Sequence, residues 1–267
     1  MNQVISLASL PDNQMSHSGA KAAHLATMIQ VGLPVPPGFV IMMEAGADEL
    51  STLEPEIFAA WDQLGLQLAA VRSSAVGEDA ATTSWAGQLH TNLGVGRVEL
   101  LSHIRQCHES VHQAHVRAYG AKMHTDNIQK VAVIVQSLVI AEQAGVLFTA
   151  HPVTGERDIM VAESIFGLGE LLAQGQVGAS HYEMTHDGQL LSTIESEQDQ
   201  QLTIINNRSQ IVALQAGTIP RLSAPLLEKL AAYGRQIETL FGGPQDIEWA
   251  LEKNKIWILQ ARPITTL

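Results

Sequence analysis

Apolar and polar positions along the chain switch between two periods, one near 3.6 and one of 2. Val4 to Leu7 and Phe39 to Met42 predict short strands. Between them, Ser16 to Gln30 reads as a Gly-containing loop entering a helix with Leu25, Met28 and Ile29 on one face. Gly32 ends that helix, and Pro34, Pro36 and Pro37 hold an extended segment. Residues 44–69 predict a short helical connection with Ile57, Trp61, Leu64 and Leu68 in the core, and a strand then ends in Arg72-Ser73-Ser74. A polar helix over Val98 to Tyr119 buries Ile104, Val111 and Val116. Strands follow at Lys130 to Ile140, at Ala144 to Thr149 and at Asp158 to Glu163, after which Gly167 and Gly169 open a helix. Residues 180–215 read as three or four short strands with turns at Asp187-Gly188 and Asn206-Asn207. Leu226 to Leu240 predicts an amphipathic helix with Leu227, Leu230, Tyr233 and Ile237 inward, stopped by Gly242-Gly243-Pro244.

The last pattern is a hairpin, with strands over Asp246 to Leu251 and Ile256 to Ala261 and a turn at Glu252 to Lys255. Alternation puts Asp246, Glu248 and Ala250 on one face and Ile247, Trp249 and Leu251 on the other. On the return strand it groups Ile256, Ile258 and Gln260. Symmetric pairing brings Glu248 close to Gln260 and Arg262 near Asp246. A carboxylate with an amide oxygen suits Mg²⁺, and a neighbouring Arg suits a phosphate. The same pattern also fits a half-buried hairpin with polar residues at its wet end.

Composition narrows the classes. The chain has 267 residues, 46% hydrophobic and 16% charged, which fits one large folded domain or two small lobes. A net charge of −12 argues against nonspecific nucleic-acid binding. The single cysteine, Cys107, rules out an internal disulfide and agrees with a cytoplasmic location. Met1-Asn-Gln-Val-Ile-Ser does not read as a signal peptide, and no apolar run is long enough to span a membrane. His103, His108, His112 and His115 fall on the polar helix and are read as solvated residues, not a zinc site.

Asp-x-Glu-Trp at 246–249 followed by Leu-Gln-x-Arg-Pro at 259–263 resembles the end of the nucleotide-binding domain of the phosphoenolpyruvate synthase and pyruvate phosphate dikinase family, which includes rifampicin phosphotransferase. Earlier stretches resemble the same family in the same order: Gly19 to Ile41 with Gly-Leu-Pro-Val-Pro-Pro-Gly-Phe, Val-Arg-Ser-Ser-Ala with Ala-Gly-Gln, Gly-Val-x-Phe-Thr-x-x-Pro, and Gly-Leu-Gly-Glu. Ala20 and Ala22 stand where the family has glycines beside the lysine, and His151 stands where an Asp or Asn is expected.

The resemblance implies an α+β, ATP-grasp fold of two lobes, residues 1–95 (trimmed) and 96–267, with the nucleotide clamped between them. It implies that Lys21, Arg72 and Arg262 hold the ATP phosphates and that Glu248 and Gln260 hold Mg²⁺. Asp246 would stand behind the metal ligands or orient a nucleophile. Gln136 to Val139 would supply backbone groups for adenine, Thr149 and Glu163 would line the nucleotide, and Ser84 to Gln88 would form a mobile loop. The family reaction splits ATP to AMP and passes the β-phosphate to a histidine on a separate domain. No stretch here resembles that domain, so the expected partner is a histidine-bearing domain or subunit. The readings are a free-standing phosphotransferase subunit, a piece of a longer dikinase, or a nucleotide sensor without turnover.

Overall fold

The structure, a computed structural model, describes residues 2–43, 45, 49–74, 91–119 (111–119 as backbone only) and 131–264. The chain divides into two compact units, residues 1–31 with 36–138, and residues 32–35 with 139–267.

The first unit is built on a five-stranded sheet in the order β1-β2-β5-β3-β4, every neighbouring pair antiparallel. Its strands are β1 (Val4–Ser6), β2 (Gly38–Ile41), β3 (Ala69–Ser74), β4 (Thr91–Val95) and β5 (Ala132–Ser137). Helices α2 (Leu50–Gln63) and α3 (Leu100–Tyr119) close one apolar core with it. Ile57, Trp61, Ile104 and Cys107 meet Phe39, Ile41, Val71, Val133 and Val135 there. Leu68 is buried as expected and Leu64 only partly, while the expected core positions Val111 and Val116 lie outside the described side chains.

Ser74, of opposite parity to Val71, turns to helix α1 (Met15–Gln30), where its Oγ accepts the Ala22 N–H at 3.3 Å. Gly19 breaks α1 with φ 77° and ψ 161°, so the regular helix starts after it and Lys21 sits in its first turn. A Cβ at Gly19 would lie 2.5 Å from the Ser74 carbonyl oxygen, so this close approach needs glycine.

The second unit carries a six-stranded antiparallel sheet in the order β13-β12-β6-β7-β8-β9. Its strands are β6 (Gln143–Phe148), β7 (Ile159–Phe166), β8 (Ser180–Thr185), β9 (Leu190–Ile194), β12 (Gln245–Glu252) and β13 (Lys255–Pro263). The short helix α4 (Glu170–Ala173) follows the Gly167–Gly169 turn, and β10 (Gln200–Ile205) with β11 (Arg208–Ala213) forms a separate hairpin. Helix α5 (Ala224–Phe241) lies on one face, with Gly234 against Leu147 and Met160. Leu227, Leu230 and Ile237 are buried on α5, and Tyr233 is only partly so. Gly145 pairs with Trp249 of β12, and a Cβ there would fall 1.8 Å from the Glu163 carbonyl oxygen. The outer edge of β13 is met by residues 32–35, where the Ile258 N–H donates to the Pro34 carbonyl at 2.8 Å.

The α+β class expected from the sequence is the one adopted. The expected division after residue 95 is corrected to 138/139. Strand β5 is the centre of the first sheet, hydrogen-bonded to both β2 and β3, and α3 belongs to the same core.

Candidate functional site

The site in the second unit starts from the turn of its last hairpin. Lys253 and Asn254 both take positive φ, 50° and 61°, so a two-residue turn joins β12 to β13. The expected turn at Glu252 to Lys255 is thus tighter than the sequence indicated, and Glu252 pairs with Lys255. Pairing runs in step to Trp249↔Ile258 and then slips by one residue, so that Glu248 pairs with Gln260 and Asp246 with Arg262. Leu259 is the extra residue of a β-bulge.

The bulge corrects the expected grouping of Ile256, Ile258 and Gln260. Ile256 and Ile258 pair with Leu251 and Trp249 on the buried face. Gln260 and Arg262 turn to the face of Glu248 and Asp246. Without the extra residue, strict alternation would aim Gln260 away from the carboxylate it pairs with.

Arg262 donates through Nε to Asp246 Oδ2 at 2.8 Å, and its Nη2 lies 2.7 Å from the same oxygen. The Asp246 side chain is 12% exposed and that of Arg262 43%. Burial pushes the Asp246 carboxyl above its ordinary range; the Arg262 guanidinium pulls it back, and the Glu248 charge adds to the rise. Asp246 Oδ1 is buried with no hydrogen-bond partner. That orphaned oxygen lies in a group of hard oxygen donors with Glu248 and the Gln260 amide, a set that fits Mg²⁺. Among the described residues no three His, Cys, Asp or Glu side chains converge as a metal site. A cation held by Glu248 and Gln260 would therefore complete its shell with water and phosphate oxygen.

Register carries the same face across the sheet. Glu248 pairs with Val146, Val146 with Glu163, and Glu163 with His181. Glu163 thus shares the face of Glu248 and Gln260, about 10 Å away at two strand spacings. In the next row Asp246 pairs with Phe148, Phe148 with Val161, and Val161 with Glu183.

Other candidates stand elsewhere. Thr149 is fully buried, and its Oγ1 accepts the Gln245 N–H at 2.9 Å while its own N–H returns to the Gln245 carbonyl. It ties β6 to the start of β12 and so places Asp246, rather than lining an open face. Gln136 is also buried, its Nε2 donating to the Pro36 carbonyl at 3.3 Å. The N–H groups of Ser137 and Leu138, expected to meet adenine, donate instead to Pro37 and Leu68 at 2.7 and 2.9 Å. Val139 is buried where the second unit begins. Ser84 to Gln88 lies outside the described residues.

In the first unit, Arg72 shares the sheet face of Ser74, and the Ser74–Ala22 bond brings Lys21 to the same end of β3. The Lys21 charge also reaches Cys107, whose thiol burial pushes up to about 12 against the pull of that ammonium.

The sequence reading missed His181 and Glu183. They alternate with buried Tyr182 and Met184 on β8, a period-2 pattern that gains meaning only once β8 is known to pair with β7. His151 keeps the job of an Asp or Asn in its turn. Its Nδ1 accepts the N–H groups of Val153 and Thr154, both at 3.2 Å. On α3, His103 bonds Gln106 and is half-buried while His108 is buried, so these two do not share a solvated face.

Known proteins resemble the chain over nearly its whole length. Rifampicin phosphotransferase from Streptomyces sviceus is 31% identical over 99% of this chain and 36% of its own length. A probable phosphoenolpyruvate synthase from Methanothermobacter thermautotrophicus is 32% identical over 94% of this chain and 44% of its own. The prodigiosin synthesizing transferase PigC from Serratia marcescens is 32% identical over 93% and 31%. The chain thus spans between about a third and just under half of the length of these relatives. Among solved structures, the D-Ala:D-Ser ligase VanG from Enterococcus faecalis matches 97% of this chain and 55% of its own at 10% identity and a TM-score of 0.47, a likeness too slight to build on. The family model for the pyruvate phosphate dikinase AMP/ATP-binding domain matches residues 46–267, and the chain belongs to that family.

Proposed function

We propose that the chain binds ATP as its Mg²⁺ complex, in the ATP-grasp manner, and is the nucleotide-splitting half of a dikinase-type phosphotransferase. The observation that carries this is the bulged hairpin, which sets Glu248 opposite Gln260 and Asp246 opposite Arg262 on one face. Bound Mg²⁺ would neutralise charge on the phosphate oxygens. Glu248 and Gln260 would hold it. Arg262, fixed by Asp246 and still 43% exposed, would meet a phosphate with its guanidinium charge. The family resemblance assigns Lys21 and Arg72 to the same triphosphate and Glu163 to the nucleotide. The product is AMP, and the β-phosphate passes to a histidine on a partner domain or subunit in the cytoplasm.

A second reading, a nucleotide sensor without turnover, has one observation in its favour. The Ala22 N–H at the helix entry, a donor that could face phosphate, is taken by Ser74. The test is calorimetry of MgATP with wild type and Glu248→Ala, followed by assay for AMP with a histidine-bearing partner. Loss of roughly tenfold or more in affinity for the variant is expected for a lost metal carboxylate. AMP that forms only with the partner supports the dikinase reading. Binding without AMP under any pairing favours the sensor, and no binding by wild type ends both.

A further inference from the structure

The face that carries Glu248 continues through Glu163 into side chains that the proposed reaction leaves unused. His181 stands between two carboxylates, with Nδ1 3.8 Å from Glu163 Oε1 and Nε2 3.9 Å from Glu183 Oε1. Glu183 is held in turn from two other elements. The Ser192 hydroxyl of β9 donates to its Oε2 at 2.9 Å, and His151 Nε2 lies 3.5 Å from its Oε1. Because His151 Nδ1 accepts two backbone N–H groups, its ring proton sits on Nε2, on the Glu183 side. His151, Glu183, His181 and Glu163 thus form a line from the turn after β6 to the row of Glu248. All four side chains are only partly exposed, between 14% and 32%.

Two carboxylates on this part of the face repel a polyphosphate, but they accept hydrogen bonds from hydroxyl groups. Arg262 and the oxygen donors for Mg²⁺ lie on the β12–β13 side; the acids lie on β7 and β8. An extended nucleoside triphosphate can span the roughly 10 Å between Glu248 and Glu163. Its sugar hydroxyls then fall where the acids are. We propose that Glu163 takes the sugar hydroxyls of the nucleotide and that His181, itself braced by Glu183, is the residue that positions Glu163 for them. This rests on the ATP reading above and adds to it the source of preference for a ribonucleotide. Without the imidazole, Glu163 and Glu183 repel each other across β7 and β8, and Glu163 loses its fixed orientation.

The test is calorimetry with three Mg²⁺ complexes: ATP, 2′,3′-dideoxy-ATP and inorganic tripolyphosphate. Wild type should prefer ATP over the dideoxy compound by roughly tenfold, the scale of a hydrogen bond to a charged group. His181→Ala should lose most of that preference while its tripolyphosphate affinity stays within about twofold of wild type, since the phosphate contacts are untouched. His181→Gln, whose amide still donates to one carboxylate, should recover part of the preference, and it carries the same comparison if the alanine variant does not fold. An unchanged preference in both variants, or equal weakening for ATP and tripolyphosphate, overturns this inference and leaves the ATP reading standing. Wild type that binds none of the three overturns both.

Discussion

In the first unit the cations proposed to hold phosphate are placed by backbone conformation. Lys21 follows a glycine at φ 77° that packs onto Ser74, and Arg72 lies two residues before that serine. In the second unit the corresponding cation is placed by a partner side chain. Arg262 is bonded to Asp246 across a hairpin whose register is set by one turn and one bulge. The first arrangement depends on a close approach that a single methyl group would block. The second depends on counting residues along two strands. Arg262 spends part of its fork on a buried carboxylate and gains a fixed direction in return.

The largest effect should come from deleting Leu259. Removing the bulge residue forces a choice: either Gln260 and Arg262 leave the face of Glu248, or Ile256 and Ile258 leave the core. Expelling one such isoleucine costs about 3 kcal/mol or more, so urea denaturation should show a large loss and calorimetry no MgATP binding. Next come the two glycines. Gly145→Ala would drive a Cβ into the Glu163 backbone and should cost about 2–3 kcal/mol of stability. Gly19→Ala should cost about 1–3 kcal/mol at a left-handed position that also clashes with Ser74, and should weaken ATP binding through Lys21. If Gly19→Ala binds ATP as wild type does, backbone placement of Lys21 is irrelevant to the nucleotide.

Asp246→Asn is a smaller change with a defined sign. The folded-state pKa of Asp246 is raised, so its contribution to stability is full below the unfolded carboxylate pKa and is lost as pH rises through the folded one. The asparagine variant should therefore melt no lower than wild type at pH 7, with any gain shrinking as pH falls toward the carboxylate range, while ATP turnover drops. A melting temperature well below wild type at pH 7 would show that the ion pair outweighs burial. The smallest effect concerns Cys107. With its thiol pushed up to about 12 from 9.0, alkylation of the native protein should be negligible at pH 8 and should appear only in denaturant. The same shift predicts that stability declines as pH rises above 9.0.

Much of this was legible in the sequence because strands announce their faces. The pairs Asp246–Arg262 and Glu248–Gln260 followed from the hairpin pattern, although the bulge that makes them direct neighbours did not. Nothing in Ile258-Leu259-Gln260 marks which residue is extra, since all three fit a strand. The wish to keep both the apolar residues and the polar pairs on their own faces is the only clue. The bonds of Thr149 and Gln136 were hidden for a related reason. A hydroxyl or amide near a strand end looks the same in sequence whether it meets a ligand or the backbone of a neighbouring segment, and these two side chains meet Gln245 and Pro36. His181 was missed because a histidine beside two glutamates matters only when β7 and β8 are paired, and register between strands cannot be read from either one alone. The boundary at 138/139 was missed because β5 follows α3 in the chain but lies at the centre of a sheet begun much earlier.

The bond from Ile258 to Pro34 bears on how this protein can be cut. The chain passes between its units three times, at 31/32, 35/36 and 138/139. Expressing residues 139–267 alone would remove the short segment that meets the outside of β13 and bare a strand edge rich in apolar residues. Such an edge recruits other chains. A split version meant to be reassembled from two pieces should carry residues 32–35 on a linker to the second piece, or it will aggregate before its partner arrives.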